Sequence, residues 1–423
     1  MLVAYIIVLT MIYLLTGDIG GTNSRMSLYA TDCACDEDKP LVVEIYKNEE
    51  HLTEKFDDPN TFPTKVIVPF LELCWKKISN LVPISDCEII ACLAIAGVVT
   101  HNRVNLTNLE NLVIDGTHIA KCRNNAYLAR VTTCKIINDF VAQGYGCLTL
   151  HASEVQHLYG PKIAPSQLTS GPKVCVGAGT GLGECYLTQT NNQGLYTCFP
   201  SEGGHVEYAP RNDVELSLWK YLEGKFASKG RISVERVVSG TGLANVYEYL
   251  AHTFPERRVP AVHEKFLHAK AEKGKVVGQN ADTDDLCRDA MSILMSAYGC
   301  EVGSAAIKFL PMGGLFVTGG LTPPNMKYIE GLNSAFMISY LNKGRVSTAL
   351  EKIPLYAVKG EDLGVRGAHK AAKMEYEARM GRSSTPEEPA APKYAWTSMV
   401  LVAAAASFAT GWLLASRAQL HRR

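Results

Sequence analysis

Apolar and polar positions along the chain follow two different periods. Short runs dense in β-branched and large apolar residues at 12–16, 24–29 and 42–46 predict strands. GDIGGTN separates the first two as a tight, hairpin-like turn. Residues 64–81 carry helical spacing, with Val66, Phe70, Leu73 and Trp75 at the apolar positions. EIIACLAIA, at 88–96, is a continuous apolar run of the buried-strand type. A strand at 135–137 gives way at Asn138-Asp139 to a helical stretch, 140–146. Val174-Cys175-Val176 enters a second glycine turn, 177–183, and a strand at 185–188 leaves it. Helical patterns then run over 214–226, 234–250 and 284–309, and an apolar strand at 314–318 reaches Gly319-Gly320. Strands alternating with helices predict an α/β protein with mixed sheets. Two glycine turns, each between strands, point to two similar βββαβα-like halves rather than one Rossmann unit.

The two ends differ from this pattern. Residues 394–416 hold no charge, and as a helix they would span roughly 34 Å, enough for a hydrocarbon core of about 30 Å. Trp396 and Trp412 lie near its ends, and Arg417, Arg422 and Arg423 come after it. The preceding SSTPEEPAAP is a polar, Pro-rich linker. The expectation is a single-pass tail anchor; an Ala-rich helix packed on the globular body is the alternative. At the other end residues 1–11 form an apolar lead-in to the first strand, without the preceding cation or the cleavage site of a signal peptide. A signal anchor is the alternative there.

Composition narrows the function. The 423 residues carry 42 basic and 42 acidic side chains, a net charge of 0, which lacks the electrostatic footprint of a dedicated nucleic-acid binder. With 47% hydrophobic and 20% charged residues, the chain can bury a sizeable core. Thirteen cysteines without repeated spacing predict buried thiols rather than a disulfide framework or a zinc quartet.

Several short constellations could carry chemistry. In Asp18-Ile19-Gly20-Gly21-Thr22-Asn23, glycines would let backbone N–H groups approach phosphate oxygens, and the carboxylate could hold a hydrated Mg²⁺. Gly177-Ala178-Gly179-Thr180-Gly181-Leu182-Gly183 has the spacing of a dinucleotide fingerprint. Yet the adjoining ECYLTQT reads as a strand, where a Rossmann turn opens a helix. Asn138-Asp139 could act chemically or simply cap the helix after it. Glu202-Gly203-Gly204-His205 joins an acid and an imidazole through a flexible pair, for which a plain turn is the alternative.

In order, LTGDIGGTNSR, IINDF, VGAGTGLG, EGGHVEYAP, ERVVSGTGL and FVTGGL closely resemble the bacterial-type glucokinase family. The resemblance covers approximately residues 12 to 372. It implies the two-lobed sugar-kinase and actin-like ATPase (ribonuclease-H-like) α/β fold, with a cleft between lobes. A small lobe, 12–137, would be completed by 361–380; a large lobe would fill 138–360. The linker, 381–393, the transmembrane helix, 394–416, and the basic tail, 417–423, would complete the chain.

The same resemblance implies site roles. Asp18, Gly20, Gly21, Thr22 and Asn23 match the first phosphate motif, with Asp18 beside Mg²⁺; Gly179, Thr180, Gly181 and Gly183 match the second. Gly319 and Gly320 match the motif beside adenosine. Asn138 and Asp139 match the sugar-contacting pair in which the aspartate is the catalytic base, and Glu202, His205 and Glu235 match further sugar ligands. Thr107-Asn108 resembles a small-lobe sugar contact, although the aromatic residue expected shortly afterwards is absent, with Leu112 nearby. A related branch carries cysteine zinc ligands after the sugar-binding histidine; VEYAPRNDVELSL, after His205, has none.

The resulting expectation is an ATP- and Mg²⁺-dependent glucose 6-kinase. Its alternatives are a kinase for mannose, glucosamine or fructose, and a membrane-tethered hexose sensor without turnover. Expected partners are glucose, ATP, a membrane through the C-terminal helix, and a second copy in a homodimer, with no nucleic acid. The kinase would face the cytosol from a mitochondrial or plastid outer membrane.

Overall fold

A computed structural model describes residues 11–31, 39–52, 58–78, 81–106, 109, 112–190 and 195–381. All but the last residue of the apolar lead-in, Thr107-Asn108 and the tail anchor expected at 394–416 therefore lie outside the described residues. The chain divides into a unit, 1–375, that holds every sheet, and a C-terminal unit, 376–423, of which only 376–381 are described.

The first sheet is built from β1 (Met11–Ile19), β2 (Asn23–Ala30), β3 (Val42–Lys47), β4 (Cys87–Ile95) and β7 (Val131–Asn138), in the order β3-β2-β1-β4-β7. Within it β1, β2 and β3 form an antiparallel meander, while β4 and β7 continue parallel to β1. β4 is buried along almost its whole length, which explains the unbroken apolar run: a parallel strand covered on both faces has no polar side. Two short strands, β5 (Arg103–Leu106) and β6 (Leu112–Asp115), form a separate ribbon.

The second sheet repeats that topology. Its strands are β8 (Val155–Tyr159), β9 (Lys173–Ala178), β10 (Leu182–Gln189), β11 (Tyr196–Ser201), β12 (Leu315–Thr318) and β13 (Leu355–Val358), in the order β11-β10-β9-β12-β13-β8. Again three strands, β9, β10 and β11, meander antiparallel, and two, β12 and β13, run parallel to β9; β8 is an added antiparallel edge. The two glycine turns are therefore equivalent, each joining the first pair of antiparallel strands of its sheet. This is why the second turn leads into a strand and not a helix.

Seven helices matter here: α1 (Val68–Lys77), α2 (Asp139–Cys147), α3 (Asp213–Phe226), α4 (Gly240–Thr253), α5 (Lys273–Asn280), α6 (Asp285–Phe309) and α7 (Leu363–Arg379). The stretch expected to be helical over 64–81 is α1 preceded by a π-helical turn, Pro63–Ile67. The pattern over 234–250 resolves into a 3₁₀ turn, Val234–Arg236, and α4, broken where Ser239 caps the new helix. Each sheet has its own apolar core, Leu15, Phe70 and Ile89 belonging to the first and Val176, Tyr247 and Phe336 to the second. From α7, His369 stacks on Tyr29 with centroids 3.9 Å apart, and Glu375 pairs with Lys135, so this late helix packs on the first sheet.

Among the described residues α6 alone is long and apolar enough to cross a membrane, and two thirds of that stretch is buried inside the protein. It is the core helix of the second sheet. Eleven cysteines are described, all of them free thiols and all but Cys300 buried, as the scattered spacing predicts.

Candidate active site

The first glycine turn closes between β1 and β2 through a hydrogen bond from Gly20 N–H to Asn23 C=O, 2.9 Å. Gly21, Thr22 and Asn23 are exposed, on the solvent side of the turn. Asn48, 1% exposed, holds the turn from behind. Its Nδ2 donates to Gly20 C=O (2.8 Å), its backbone N–H to Thr22 C=O (2.8 Å), and its Oδ1 accepts from Ser24 Oγ (2.7 Å). Asn48 is absent from the residues expected at the site: a polar residue after a strand, with two glutamates behind it, carries no signal of burial.

Asp18 is half-buried near the end of β1, between the buried Gly17 and Ile19 and opposite Arg25 on β2. Burial raises its carboxyl above the usual range, and the Arg25 cation opposes that rise. A β-carbon at Gly364, in the first turn of α7, would come 3.1 Å from Asp18 Oδ2, so the glycine lets that helix start against the carboxylate.

Asn138 is a helix cap, one of the two roles its position predicts. Its Oδ1 accepts from Phe140 N–H (2.8 Å) and Val141 N–H (3.3 Å), while Nδ2 donates to Gly97 C=O (3.1 Å). One amide hydrogen remains for a ligand. Capping and ligand binding are thus compatible on this side chain, and the cap fixes where Asp139, the next residue, points. The Asp139 carboxyl is pushed up to about 6, first by burial and then by the negative charges of Asp18 and Glu202; hydrogen bonds from backbone N–H groups partly offset this.

Asp18 and Asp139 share a cavity of about 180 Å³ with Gln143, Gly319, Gly320 and Glu361. Beside it lies a larger cavity of about 650 Å³, lined by Gly179, Thr180, Gly240, Thr241 and Gly320 among others. Gly320 borders both. At Gly319 φ is +83°, and a β-carbon would lie 2.4 Å from Ala178 C=O, so only glycine lets β12 turn past β9 here.

The second glycine turn is held by the SGTG segment, which the sequence motifs contain without pointing to a role for it. Gly240 N–H donates to Gly179 C=O (2.8 Å), and Thr241 Oγ1 donates to Thr180 C=O (3.2 Å). Ser239 caps α4 by accepting from Gly242 N–H at 2.8 Å. A signal exists, because SGTG is a cap residue ahead of a glycine-rich helix start. Gly183 differs from the expectation. It lies inside β10 opposite Gly177, and what demands a glycine there is the ring of Phe140.

Glu202 precedes and His205 ends a 3₁₀ turn, both exposed, with Oε2 and Nε2 3.8 Å apart. The glycines between them are packing requirements: β-carbons would meet Glu184 Oε2 at 2.2 Å from Gly203 and Leu182 C=O at 2.0 Å from Gly204. Glu235 is half-buried, and its Oε2 accepts from Leu182 N–H at 2.9 Å. Of the expected site residues, Asp18, Asp139, Gly319 and Gly320 line the smaller cavity, and Gly179, Thr180 and Gly320 the larger; Asn108 lies outside the described residues. Among the described residues no group of three His, Cys, Asp or Glu side chains is arranged to hold a metal ion.

Comparisons with known proteins place the chain in a family. The glucokinase family model matches residues 15–375. A glucokinase of Synechocystis sp. is 36% identical over 367 residues, covering 84% of this chain and 96% of the relative. Among solved structures, a glucokinase from Balamuthia mandrillaris in complex with glucose superposes with a TM-score of 0.65 at 22% identity, over 86% of this chain and 94% of that one. A ROK family glucokinase from Streptomyces griseus, in complex with glucose and AMPPNP, gives 0.51 at 18% identity, over 86% of this chain and 99% of that one. These two share the fold. With the family model spanning both sheets, and a relative matched over nearly its whole length, the chain belongs to the glucokinase family.

Proposed function

We propose that this protein phosphorylates glucose at its 6-hydroxyl with ATP, giving glucose 6-phosphate and ADP, from a membrane that its C-terminal segment enters. The observation that carries the reaction is the position of Asp139. The carboxylate lies in a cavity that meets, at Gly320, a pocket of nucleotide size edged by a glycine turn and the start of α4. Membership of the glucokinase family supports glucose and ATP as the substrates, and solved relatives hold glucose and AMPPNP.

Asp139 accepts the proton of the 6-hydroxyl as that oxygen bonds to the γ-phosphorus. The bond from this phosphorus to the β,γ-bridging oxygen breaks, and ADP leaves with the electron pair. General-base help of this kind is worth roughly 10²–10⁴ in rate. Asn138, Glu202, His205, Glu235 and Asn108 supply the acceptors and donors that a polyhydroxylated substrate needs. The turns at Gly20–Asn23 and Gly179–Gly181 would meet the phosphates, with the N–H groups of Gly20 and Gly179 already spent on Asn23 C=O and Gly181 C=O within those turns, and Gly319-Gly320 would leave room for adenosine.

The residues fit a magnesium ion that arrives on the nucleotide. Asp18 offers one carboxylate beside the cavity, enough for an ion that keeps most of its ligands as water and phosphate oxygens. When bound, Mg²⁺ offsets phosphate charge.

Glucose-dependent ADP formation in a coupled assay tests the reaction, and a panel with mannose, glucosamine and fructose tests the sugar. The membrane part rests on the uncharged stretch at 394–416 and its flanking Trp and Arg residues. Its short basic end and run of alanines favour a mitochondrial or plastid outer membrane, with the kinase in the cytosol. A fluorescent reporter joined to 383–423 should mark that membrane; a diffuse signal would refute the anchor.

A further inference from the structure

Glu235 touches the second glycine turn itself. Its Oε2 accepts from Leu182 N–H at 2.9 Å, and a β-carbon at Gly181 would come within 2.4 Å of the same oxygen. The residue rides on a short 3₁₀ turn that is tied down on both sides. Asn245 Nδ2 donates to Arg236 C=O (2.9 Å), the Arg236 guanidinium lies 4.0 Å from the Phe226 ring centroid, and Ser239 Oγ donates to Glu235 C=O (2.8 Å). The neighbouring bonds from Gly240 to Gly179 and from Thr241 to Thr180 act on the same turn. The carboxylate thus reaches from an anchored segment to the outgoing end of the loop edging the nucleotide pocket. No described group bonds to Oε1, which leaves that oxygen for a sugar hydroxyl.

We propose that Glu235 is a positioning residue for the phosphate turn, so that nucleotide affinity depends on its side chain even without sugar. This rests on the kinase reading above, and it assigns to one side chain a hold on both substrates. Loss of this acceptor would leave Leu182 N–H, at the start of β10, unpaired. The bond needs an acceptor and not a charge, so an amide oxygen can replace it.

The test is equilibrium binding of AMPPNP with Mg²⁺ to the full chain without glucose, alongside the KM for glucose. Glu235→Ala should weaken sugar-free AMPPNP binding about tenfold, whereas Glu235→Gln should stay within about twofold of wild type. Both should raise the KM for glucose. A Glu235→Ala protein of wild-type melting temperature that binds AMPPNP like wild type would overturn the proposal, as would a Glu235→Gln protein that loses as much as the alanine variant. If Glu235→Ala does not fold, Gly181→Ala addresses the same contact from the loop side; it too should lose about tenfold, and wild-type affinity would overturn the proposal. Failure of the kinase reading would show differently, as wild-type protein that makes no ADP when glucose is added.

Discussion

The ring of Phe140 occupies the space above Gly183 where a β-carbon would stand: that carbon would lie 2.0 Å from Phe140 Cδ2. Gly177, on the neighbouring strand, meets the same ring. Since Phe140 directly follows Asp139, the strand-to-helix junction that aims the carboxylate is packed against the two strands that carry the second glycine turn.

Gly183→Ala should therefore act at a distance. Forcing a methyl against the ring costs typically about 1–3 kcal/mol in overpacking, and displacing Asp139 by about 1 Å can cost on the order of 10²-fold in rate. We expect a lowered melting temperature and a fall in kcat of at least about tenfold. Thermal melts and steady-state kinetics check both, and an alanine variant with unchanged kcat would separate the two features.

Asn48→Ala should loosen the first glycine turn, the one proposed to meet the phosphates. It removes the bond to Gly20 C=O and leaves Ser24 Oγ without its acceptor in a buried setting. The expected cost is about 1–3 kcal/mol of stability, with a raised KM for ATP and a smaller change in the KM for glucose. Initial-rate kinetics with each substrate varied in turn would show whether the effect tracks the nucleotide.

Strand and helix positions were largely legible in the sequence because burial imposes the two periods directly. β4 is an apolar run because both its faces are covered, and the helix over 284–309 survives as α6 within one residue. The duplicated topology could be anticipated from the two glycine turns. Reasons for individual residues were less legible. Gly183 fits a phosphate motif by spacing, yet a ring from α2 explains it; Asn48 reaches the site only through tertiary contacts that no local pattern encodes, whereas Gln143, one turn after Asp139 on α2, was within reach of helical periodicity. Local capping and the proposed catalytic pair coincide at Asn138-Asp139, so pattern alone left both roles open.

The raised carboxyl at Asp139 has a consequence for stability as well as for rate. The folded chain keeps this proton up to about pH 6, whereas the unfolded chain releases it near pH 4. The site's contribution to stability is thus full below about pH 4 and is lost as pH rises through about 6. Asp139→Asn should then melt higher than wild type at about pH 7–8, with the difference vanishing near pH 4. Calorimetric melts across that range check the sign. In parallel, wild-type kcat/KM should fall about tenfold per pH unit below about 6, since the base must be ionised.

The proposed mechanism depends, above all, on that carboxylate taking the proton of the sugar hydroxyl. The most direct measurement is glucose-dependent ADP formation by purified Asp139→Asn, side by side with wild type at saturating ATP. The asparagine variant keeps the shape of the side chain but cannot accept the proton, so kcat should drop by roughly 10²–10⁴. A variant that turns over glucose at the wild-type rate would contradict the role assigned to Asp139.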